Sequence, residues 1–216
     1  MIDITRVLRE LAVKRPVFHS EADFQHALAW EIHQRWPECS MRLEFKPPHL
    51  KNPIYLDIWA DGGDKVLALE LKNKTWRTQL QARGDNFDLL HHGAHPLGRY
   101  DFLKDVVRLE MVTESRSDIC GYAILLTNDS MYWTAPKGIP ANDASFRVHE
   151  GRLVRGKLAW GEGYAPSTIR NRESSLDIRG SYPSVWQEYS EVSGSALGRF
   201  RYLLVNVAYR NNTQTP

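Results

Sequence analysis

Asp57, Glu70 and Lys72 have the chemical types and the spacing of a metal-dependent hydrolytic site. Asp57 lies in one strand-like run, and Glu70 and Lys72 stand two residues apart in the next one. Mg²⁺ prefers one or two carboxylates, with waters and substrate phosphate completing its shell. An ammonium group beside such a pair can position an attacking water or balance charge, as hydrolysis of a phosphodiester requires. The backbone carbonyl of Leu71 would add a further oxygen ligand.

The two runs that carry these residues are predicted to form a β-hairpin. Residues 54–60 and 65–72 flank Asp61-Gly62-Gly63-Asp64, and the two glycines in that segment favour a tight turn. A turn centred on the glycine pair places Asp57 opposite Ala68. The sequence therefore predicts both the pairing of the two strands and the register between them.

On this register the acids and the lysine share one face of the hairpin. Because side chains alternate across a strand, Asp57, Glu70 and Lys72 point to the same side, and the acids are diagonal neighbours roughly 7–8 Å apart at the backbone. A solvated charged face would produce the same pattern without any function. The opposite face is predicted to be wholly apolar, and it carries Ile54, Leu56, Ile58, Leu67, Leu69 and Leu71. The charged face also carries Tyr55, Trp59 and Val66. These side chains predict that the carboxylates are partly covered, where a cation or hydrogen bonds must offset their burial.

The rest of the chain is predicted to belong to a single α/β domain. The spacing of apolar residues predicts helices over 3–14, 20–36 and 97–113, and strands over 41–45, 119–127 and 200–208. Ser20 is the expected N-cap of the second helix. A basic hairpin is predicted from 146–149 and 153–160, and residues 74–95 and 165–180 are predicted to be mostly irregular. The core then covers about 20–127, and a β-rich C-terminal extension covers about 128–210.

This order of elements, with Asp57 on the second core strand and Glu70-Leu71-Lys72 on the third, resembles the PD-(D/E)xK phosphodiesterase superfamily. The resemblance covers chiefly residues 20–127. It implies a restriction-endonuclease-like core of αβββαβ order, with a mixed central sheet flanked by helices. Leu56 stands where the proline that gives the motif its name would be, and many members lack that proline. Members of the superfamily are mostly Mg²⁺-dependent DNA nucleases.

The resemblance also implies roles for individual residues. Asp57 and Glu70 would bind Mg²⁺ or a substituting Mn²⁺, Lys72 would assist the water, and Glu21 would support the metal from the leading helix. Glu31 is an alternative to Glu21, since ten residues place it on much the same side of that helix. Alanine at Lys72 or Asp57 is expected to abolish cleavage and to leave the thermal melt nearly unchanged.

Basic residues in two regions are candidates for contacts with the DNA backbone. Lys74, Arg77 and Arg83 follow the motif directly, and Arg152 and Arg155 lie in the predicted C-terminal hairpin. A solvated loop and scattered surface arginines would explain these residues equally well.

Two further groups of polar residues are interpreted as structural. His91, His92 and His95 have neither helical spacing nor a nearby cysteine, so a polar loop explains them. Asp105 and Arg108 are three residues apart on a predicted helix, which favours a local ion pair over catalysis.

Composition limits the remaining classes. The chain has 216 residues, of which 42% are hydrophobic and 25% charged, which is ordinary for a globular domain and excludes a disordered tail. It has two cysteines and no apolar run of the roughly 20 residues that span a bilayer. We therefore expect a soluble, reduced, cytoplasmic protein without a membrane partner.

The expected function of the protein is that of a Mg²⁺-dependent deoxyribonuclease with DNA as partner, and a homodimer would suit double-strand cleavage. The alternative is a catalytically silent nucleic-acid-binding or structural module of the same fold.

Overall fold

The computed structural model describes residues 2–48, 50, 53–138, 141–163 and 167–208. The helices in this part of the chain are α1 (Ile4–Lys14), α2 (Glu21–Arg35) and α3 (His95–Ser115). The strands are β1 (Ser40–Phe45), β2 (Leu56–Asp61), β3 (Val66–Lys74), β4 (Thr78–Ala82), β5 (Asp85–Leu89), β6 (Ile119–Thr127), β7 (Leu153–Leu158), β8 (Leu176–Pro183), β9 (Trp186–Glu191) and β10 (Arg199–Val207). A short 3-10 turn spans Ala144–Phe146. Residues 165–166 and 209–210, which belong to the predicted irregular segment and extension, lie outside the described residues.

The fold is mixed α/β, with a central six-stranded sheet in the order β1-β2-β3-β6-β10-β9. The β3–β6 pair is parallel, and the other neighbouring strands of this sheet are antiparallel. On one face of the sheet, α1 and α2 pack together with the β4–β5 hairpin. On the other face, α3 packs together with the two-stranded β7–β8 sheet. The predicted class, a mixed central sheet flanked by helices, is confirmed.

Local capping chemistry sets where the first two helices begin. The side chain of Asp3 accepts a hydrogen bond from the backbone N–H of Arg6 at the start of α1. The hydroxyl of Ser20 accepts one from the backbone N–H of Asp23, so the predicted N-cap of α2 is confirmed. This cap places Glu21 in the first turn of α2, at the edge of the sheet where the candidate site lies.

The predicted register of the β2–β3 hairpin is wrong by two residues. Trp59, and not Asp57, pairs with Ala68, and the last pair of the ladder is Ile58 with Leu69. The turn is centred one residue later than predicted, because Gly63 adopts a φ of +86° and the N–H of Gly62 donates to the carbonyl of Lys65. A shift of two residues does not by itself move a side chain to the other face of the sheet.

The corrected register improves the alignment of the two acids. One step beyond the last ladder pair, Asp57 is level with Glu70 instead of diagonal to it. The predicted apolar face is partly wrong. Leu67, Leu69 and Leu71 pack with Ile58 toward α2, whereas Ile54 and Leu56 pack with Trp59 toward α3. The alternation of side chains between the two faces of β2 is interrupted at Asp57, because β2 has no backbone ladder to β3 at that residue.

Three predictions for the irregular regions and the C-terminal hairpin are also wrong. Residues 74–95 contain the β4–β5 hairpin, which buries Leu80 and Phe87 against the α1–α2 side. Strand β7 pairs with β8 and not with residues 146–149. Strand β8 begins inside the segment 165–180, which was predicted to be irregular, and ends beyond it. The partner of β7 is distant in sequence, so hairpin spacing could not identify it. Strands β9 and β10 extend the central sheet beside β6. Among the described residues, no helix is both long and apolar enough to cross a membrane.

Candidate active site

The candidate site lies where β2 and β3 separate. Beyond the Ile58–Leu69 pair, the carboxylate of Asp57 replaces the missing backbone partner and accepts a hydrogen bond of 2.5 Å from the N–H of Leu71. The carbonyl of Asp57 accepts a hydrogen bond of 2.7 Å from the side chain of Gln25 on α2. Asp57 is therefore held between α2 and β3, and the edge of the sheet opens beside Glu70.

Glu70 is buried without the hydrogen bonds that a buried carboxylate normally has. Its residue is 1% exposed, and neither carboxylate oxygen has a hydrogen-bond partner among the described residues. The guanidinium of Arg108 lies 3.1 Å from Oε1 and forms an ion pair with it. Burial and the nearby carboxylates of Asp105 and Asp57 raise the pKa of Glu70 well above its usual range, although Arg108 and Lys72 oppose the shift. Ionisation of Glu70 therefore costs free energy in this site, because the resulting negative charge is buried.

Lys72 provides a permanent positive charge beside these acids. Its ammonium lies 2.7 Å from the Asp105 carboxylate and 3.8 Å from that of Glu21, and it donates a hydrogen bond of 2.9 Å to the carbonyl of Leu71. Burial lowers the pKa of Lys72, but the carboxylates of Asp105, Glu21 and Asp57 raise it above its usual value. Lys72 can therefore orient a water or stabilise charge, but it does not act as a base.

Asp105 and Arg108 belong to the site, and sequence reasoning did not place them there. Their predicted ion pair is present, with 2.9 Å between the Arg108 and Asp105 side chains. In addition, Arg108 donates to the carbonyl of Tyr55 and pairs with Glu70, while Asp105 pairs with Lys72. A signal was available in the sequence: Asp105 lies within the apolar stripe that α3 buries, which consists of Phe102, Val106 and Leu109.

The structure brings Glu21 to the site and places Glu31 elsewhere. The carboxylate of Glu21 accepts a hydrogen bond of 2.9 Å from the N–H of Asn73, and it lies 3.9 Å from the ammonium of Lys74. Glu31 is buried between Lys14 and Arg35, each 2.8 Å away. The ten residues between the acids correspond to about 15 Å along a helix. Of the two alternatives, the geometry therefore favours Glu21.

We expect Glu21→Gln and Glu31→Gln to separate function from stability. Glu21→Gln removes a negative charge beside Lys72 and should lower DNA cleavage about 10- to 100-fold with little change in the melting temperature. Glu31→Gln breaks a buried charge cluster and should lower the melting temperature while cleavage by the folded protein stays near wild type. Initial cleavage rates and thermal melts of both variants provide the check, and the reverse pattern would show that the wrong helical acid has been chosen.

The charges around the opening fit a bound dication. The site contains four carboxylates and three cations, so the carboxylates outnumber the cations when all are ionised. The carboxylates are those of Glu21, Asp57, Glu70 and Asp105, and the cations are Lys72, Lys74 and Arg108. Burial, which Lys72 and the N–H of Leu71 oppose, raises the pKa of Asp57 to about 6. A dication would relieve this excess and occupy the unbonded oxygens of Glu70. It would be held by Asp57, Glu70 and the carbonyl of Leu71, which in this structure accepts from Lys72.

The five predicted DNA contacts are spread over the molecule. Lys74 lies at the site beside Glu21, and Arg77 is exposed just beyond β3. Arg83, in the β4–β5 turn, donates to the carbonyl of Val13 on α1, which is on the face away from α3. Arg152 is half-buried and donates to the carbonyl of Ser145, and Arg155 is exposed on β7. These contacts give Arg83 and Arg152 structural roles, and of the five residues Lys74 is the one that contacts an acid of the site.

A second cluster of potential metal ligands lies at the start of α3. One ligand atom each from His91, His95 and Asp129 lies within 4.8 Å of the other two, and no other such three-residue group occurs among the described residues. The interpretation of these histidines as an ordinary polar loop missed this cluster, because Asp129 is 34 residues beyond His95 in the chain.

Comparison with protein-family models, curated proteins and solved structures finds no match to this chain.

Proposed function

We propose that the protein is a Mg²⁺-dependent nuclease that hydrolyses phosphodiester bonds of DNA. One observation carries this proposal: the carboxylate of Glu70 is buried without a hydrogen-bond partner, beside Asp57 and Lys72, where the sheet opens. A buried carboxylate without hydrogen bonds destabilises a fold, and the pKa of Glu70 stays raised despite the ion pair with Arg108. Its presence beside a second acid and an ammonium group therefore favours a functional site over surface decoration.

The arrangement of elements supports the proposed restriction-endonuclease-like core. The order α2, β1, β2, β3, α3, β6 follows the αβββαβ pattern, with the β4–β5 hairpin inserted between β3 and α3. In this proposal Asp57 lies on the second strand of the core and Glu70 and Lys72 lie on the third. The superfamily itself is inferred from the resemblance of these residues, and the element order is compatible with it.

Each side chain of the site has a defined part in the proposed reaction. Asp57 and Glu70 would hold Mg²⁺, or Mn²⁺ in its place, and the bound metal would offset phosphoryl charge and lower the pKa of a coordinated water. Lys72 keeps its proton and orients the attacking water or stabilises charge on the phosphate. Asp105 keeps Lys72 charged and in place, with 2.7 Å between their side chains. Glu21 holds the end of β3 through the N–H of Asn73.

The ion pairs of the site also support a second candidate function, a silent binding or structural module. Arg108 already pairs with Glu70, and Lys72 already pairs with Asp105, so both acids have a cation beside them without any metal. Calorimetric titration with Mg²⁺ distinguishes the two functions. Heat of binding at millimolar Mg²⁺ supports the nuclease, and its absence from the folded protein favours the silent module.

The direct test of the nuclease is cleavage of plasmid, linear duplex and single-stranded DNA, and of RNA, with Mg²⁺ or Mn²⁺. Asp57→Asn should abolish cleavage of the preferred substrate. Asp61→Asn on the same strand is the matched control, because Asp61 accepts a hydrogen bond from the N–H of Gly63 at the far end of the hairpin. Cleavage that survives Asp57→Asn would refute the assigned site, and preferential cleavage of RNA would refute DNA as the substrate.

Metal binding is expected to strengthen with rising pH. Asp57 has a pKa of about 6, and that of Glu70 is raised further, so protons compete with the metal at mildly acidic pH. The affinity for Mg²⁺ should rise at least about tenfold between pH 5.5 and 8, with release of protons on binding. Calorimetry in two buffers of different ionisation enthalpy measures both quantities. An affinity that is independent of pH over this interval would contradict the assigned ligands.

A further inference from the structure

The strongest feature outside the proposed nuclease site is the cluster of His91, His95 and Asp129. It joins three parts of the chain: the segment after β5, the first residue of α3 and the segment after β6. His95 and Asp129 contact each other through Nε2 and Oδ2 at 2.5 Å. His91 is exposed, His95 is half-buried and Asp129 is buried. The cluster shares no residue with the group around Glu70.

The carboxylate of Asp129 is held in one orientation by its own turn. Its Oδ1 accepts a hydrogen bond of 2.9 Å from the N–H of Met131, and the N–H of Asp129 donates to the hydroxyl of Thr127. These bonds direct Oδ2 toward His95. Carboxylates that bind a metal are usually hydrogen-bonded in this way, because such bonds limit the movement of the ligand.

The rings around the cluster keep His91 close to the other two ligands. The imidazole of His91 packs against the indole of Trp76, with 4.2 Å between the ring centroids. Gly93 makes room for this position, because a Cβ at residue 93 would lie 2.8 Å from the ring. The backbone of Trp76 is in turn hydrogen-bonded to the side chain of Asn128, which directly precedes Asp129 in the chain.

A further polar group without a partner lies in the adjoining cavity. Tyr132 is 1% exposed, its ring meets that of His95 edge-on at 5.5 Å, and its hydroxyl has no hydrogen-bond partner among the described residues. Tyr132, His91 and Lys74 are among the residues that line this cavity, which has a volume of about 350 Å³. An unbonded buried hydroxyl in such a cavity indicates that a water or another ligand binds there.

We propose that His91, His95 and Asp129 bind a first-row transition-metal dication, with Zn²⁺ as the expected ion. Two imidazole nitrogens and one carboxylate oxygen match the ligand preferences of Zn²⁺, whereas Mg²⁺ prefers oxygen ligands alone. Ligand atoms bound to one tetrahedral Zn²⁺ lie roughly 3.3 Å apart. In the present structure the three ligand atoms lie within 4.8 Å of one another, and His95 Nε2 lies 2.5 Å from Asp129 Oδ2. Binding therefore requires the exposed side chain of His91 to approach and the His95–Asp129 pair to separate to about 3.3 Å. The bound ion would fasten the start of α3 to the end of β6.

The test is Zn²⁺ uptake by the full chain after treatment with a chelator. Wild type should retain one Zn²⁺ per chain after dialysis. At a metal concentration far below the millimolar range of the proposed Mg²⁺ site, its melting temperature should rise with Zn²⁺ but not with Mg²⁺. His91→Ala should weaken Zn²⁺ binding at least tenfold. Co²⁺ should give the visible absorption of a tetrahedral nitrogen–oxygen site in wild type and lose it in His91→Ala.

Two control variants separate this site from other metal binding. His26→Ala removes an exposed histidine of α2, and Glu70→Gln removes a proposed Mg²⁺ ligand, and both should leave Zn²⁺ uptake unchanged. Zn²⁺ uptake that His91→Ala does not reduce, or that Glu70→Gln abolishes, would overturn the proposal. Failure of wild type to take up Zn²⁺ or Co²⁺ would overturn it as well. None of these results depends on whether the protein cleaves DNA.

Discussion

Glu70→Gln is expected to abolish DNA cleavage and, at pH 8, to raise the melting temperature. The change removes one of the two carboxylates proposed to bind Mg²⁺, so cleavage should fall at least about 100-fold. It also removes a buried carboxyl whose ionisation opposes folding, because burial and the charges of Asp105 and Asp57 raise its pKa. Arg108 keeps its contacts with Asp105 and Tyr55 in the variant. We expect a net gain of about 1 kcal/mol, which is about 2–4 °C for a chain of this size.

The pH dependence of this gain tests its cause. A carboxyl group with a raised pKa contributes fully to stability below its ordinary value of 4.5, and this contribution is lost as the pH rises through the higher folded value. Thermal melts without metal should therefore nearly coincide for wild type and Glu70→Gln near pH 4, and should separate as the pH rises. Saturating Mg²⁺ should stabilise wild type alone. A variant that is less stable than wild type at every pH would show that the Arg108 ion pair outweighs the cost of burying the charge.

Lys72→Ala is expected to abolish cleavage and also to destabilise the protein. The ammonium lies 2.7 Å from the buried carboxylate of Asp105, and its removal leaves that charge without its nearest cation. Breaking a buried ion pair in this way typically costs about 3–5 kcal/mol. The expectation from sequence was a nearly unchanged melt, and it did not include the contact of Lys72 with Asp105. Chemical denaturation and initial cleavage rates measure the two effects separately.

A double variant identifies the source of the destabilisation. Asp105→Asn in the Lys72→Ala background removes both partners, so the loss of stability should be clearly smaller than the sum of the two single losses. Cleavage should remain absent. Lys74→Ala is the matched control on the same strand, since its ammonium is 3.9 Å from Glu21, and it should change stability by less than about 1 kcal/mol. Additive losses in the double variant would place the cost of Lys72→Ala outside the Asp105 contact.

Two predictions that depend on neighbouring residues are confirmed. Ser20 caps α2 as its position indicated, and β6 spans residues 119–127 as its apolar run predicted. The hairpin register was wrong by two, because both glycine positions were compatible with a turn and the N–H of Gly62 bonds to Lys65. The error left Asp57 and Glu70 on the predicted face, since side-chain direction repeats every two residues.

Predictions that depend on how helices pack against the sheet failed or remained open. The sequence left two acids of α2 as alternatives, and only the docking of that helix brings Glu21 to Asn73 and Glu31 to Lys14. The ion pair of Asp105 with Arg108 was predicted as local structural support within α3. Packing of α3 against β3 turns it toward Lys72.

The sequence by itself determined the N-cap of α2, the strands that carry the charged residues and the face that those residues share. These features follow from backbone hydrogen bonding and side-chain periodicity, which act over a few residues. The tertiary structure alone decided which charges meet: Lys72 with Asp105, Glu70 with Arg108, and His95 with Asp129. Such pairs form because burial of apolar surface across the whole chain sets how the elements pack, and polar groups then meet wherever that packing brings them.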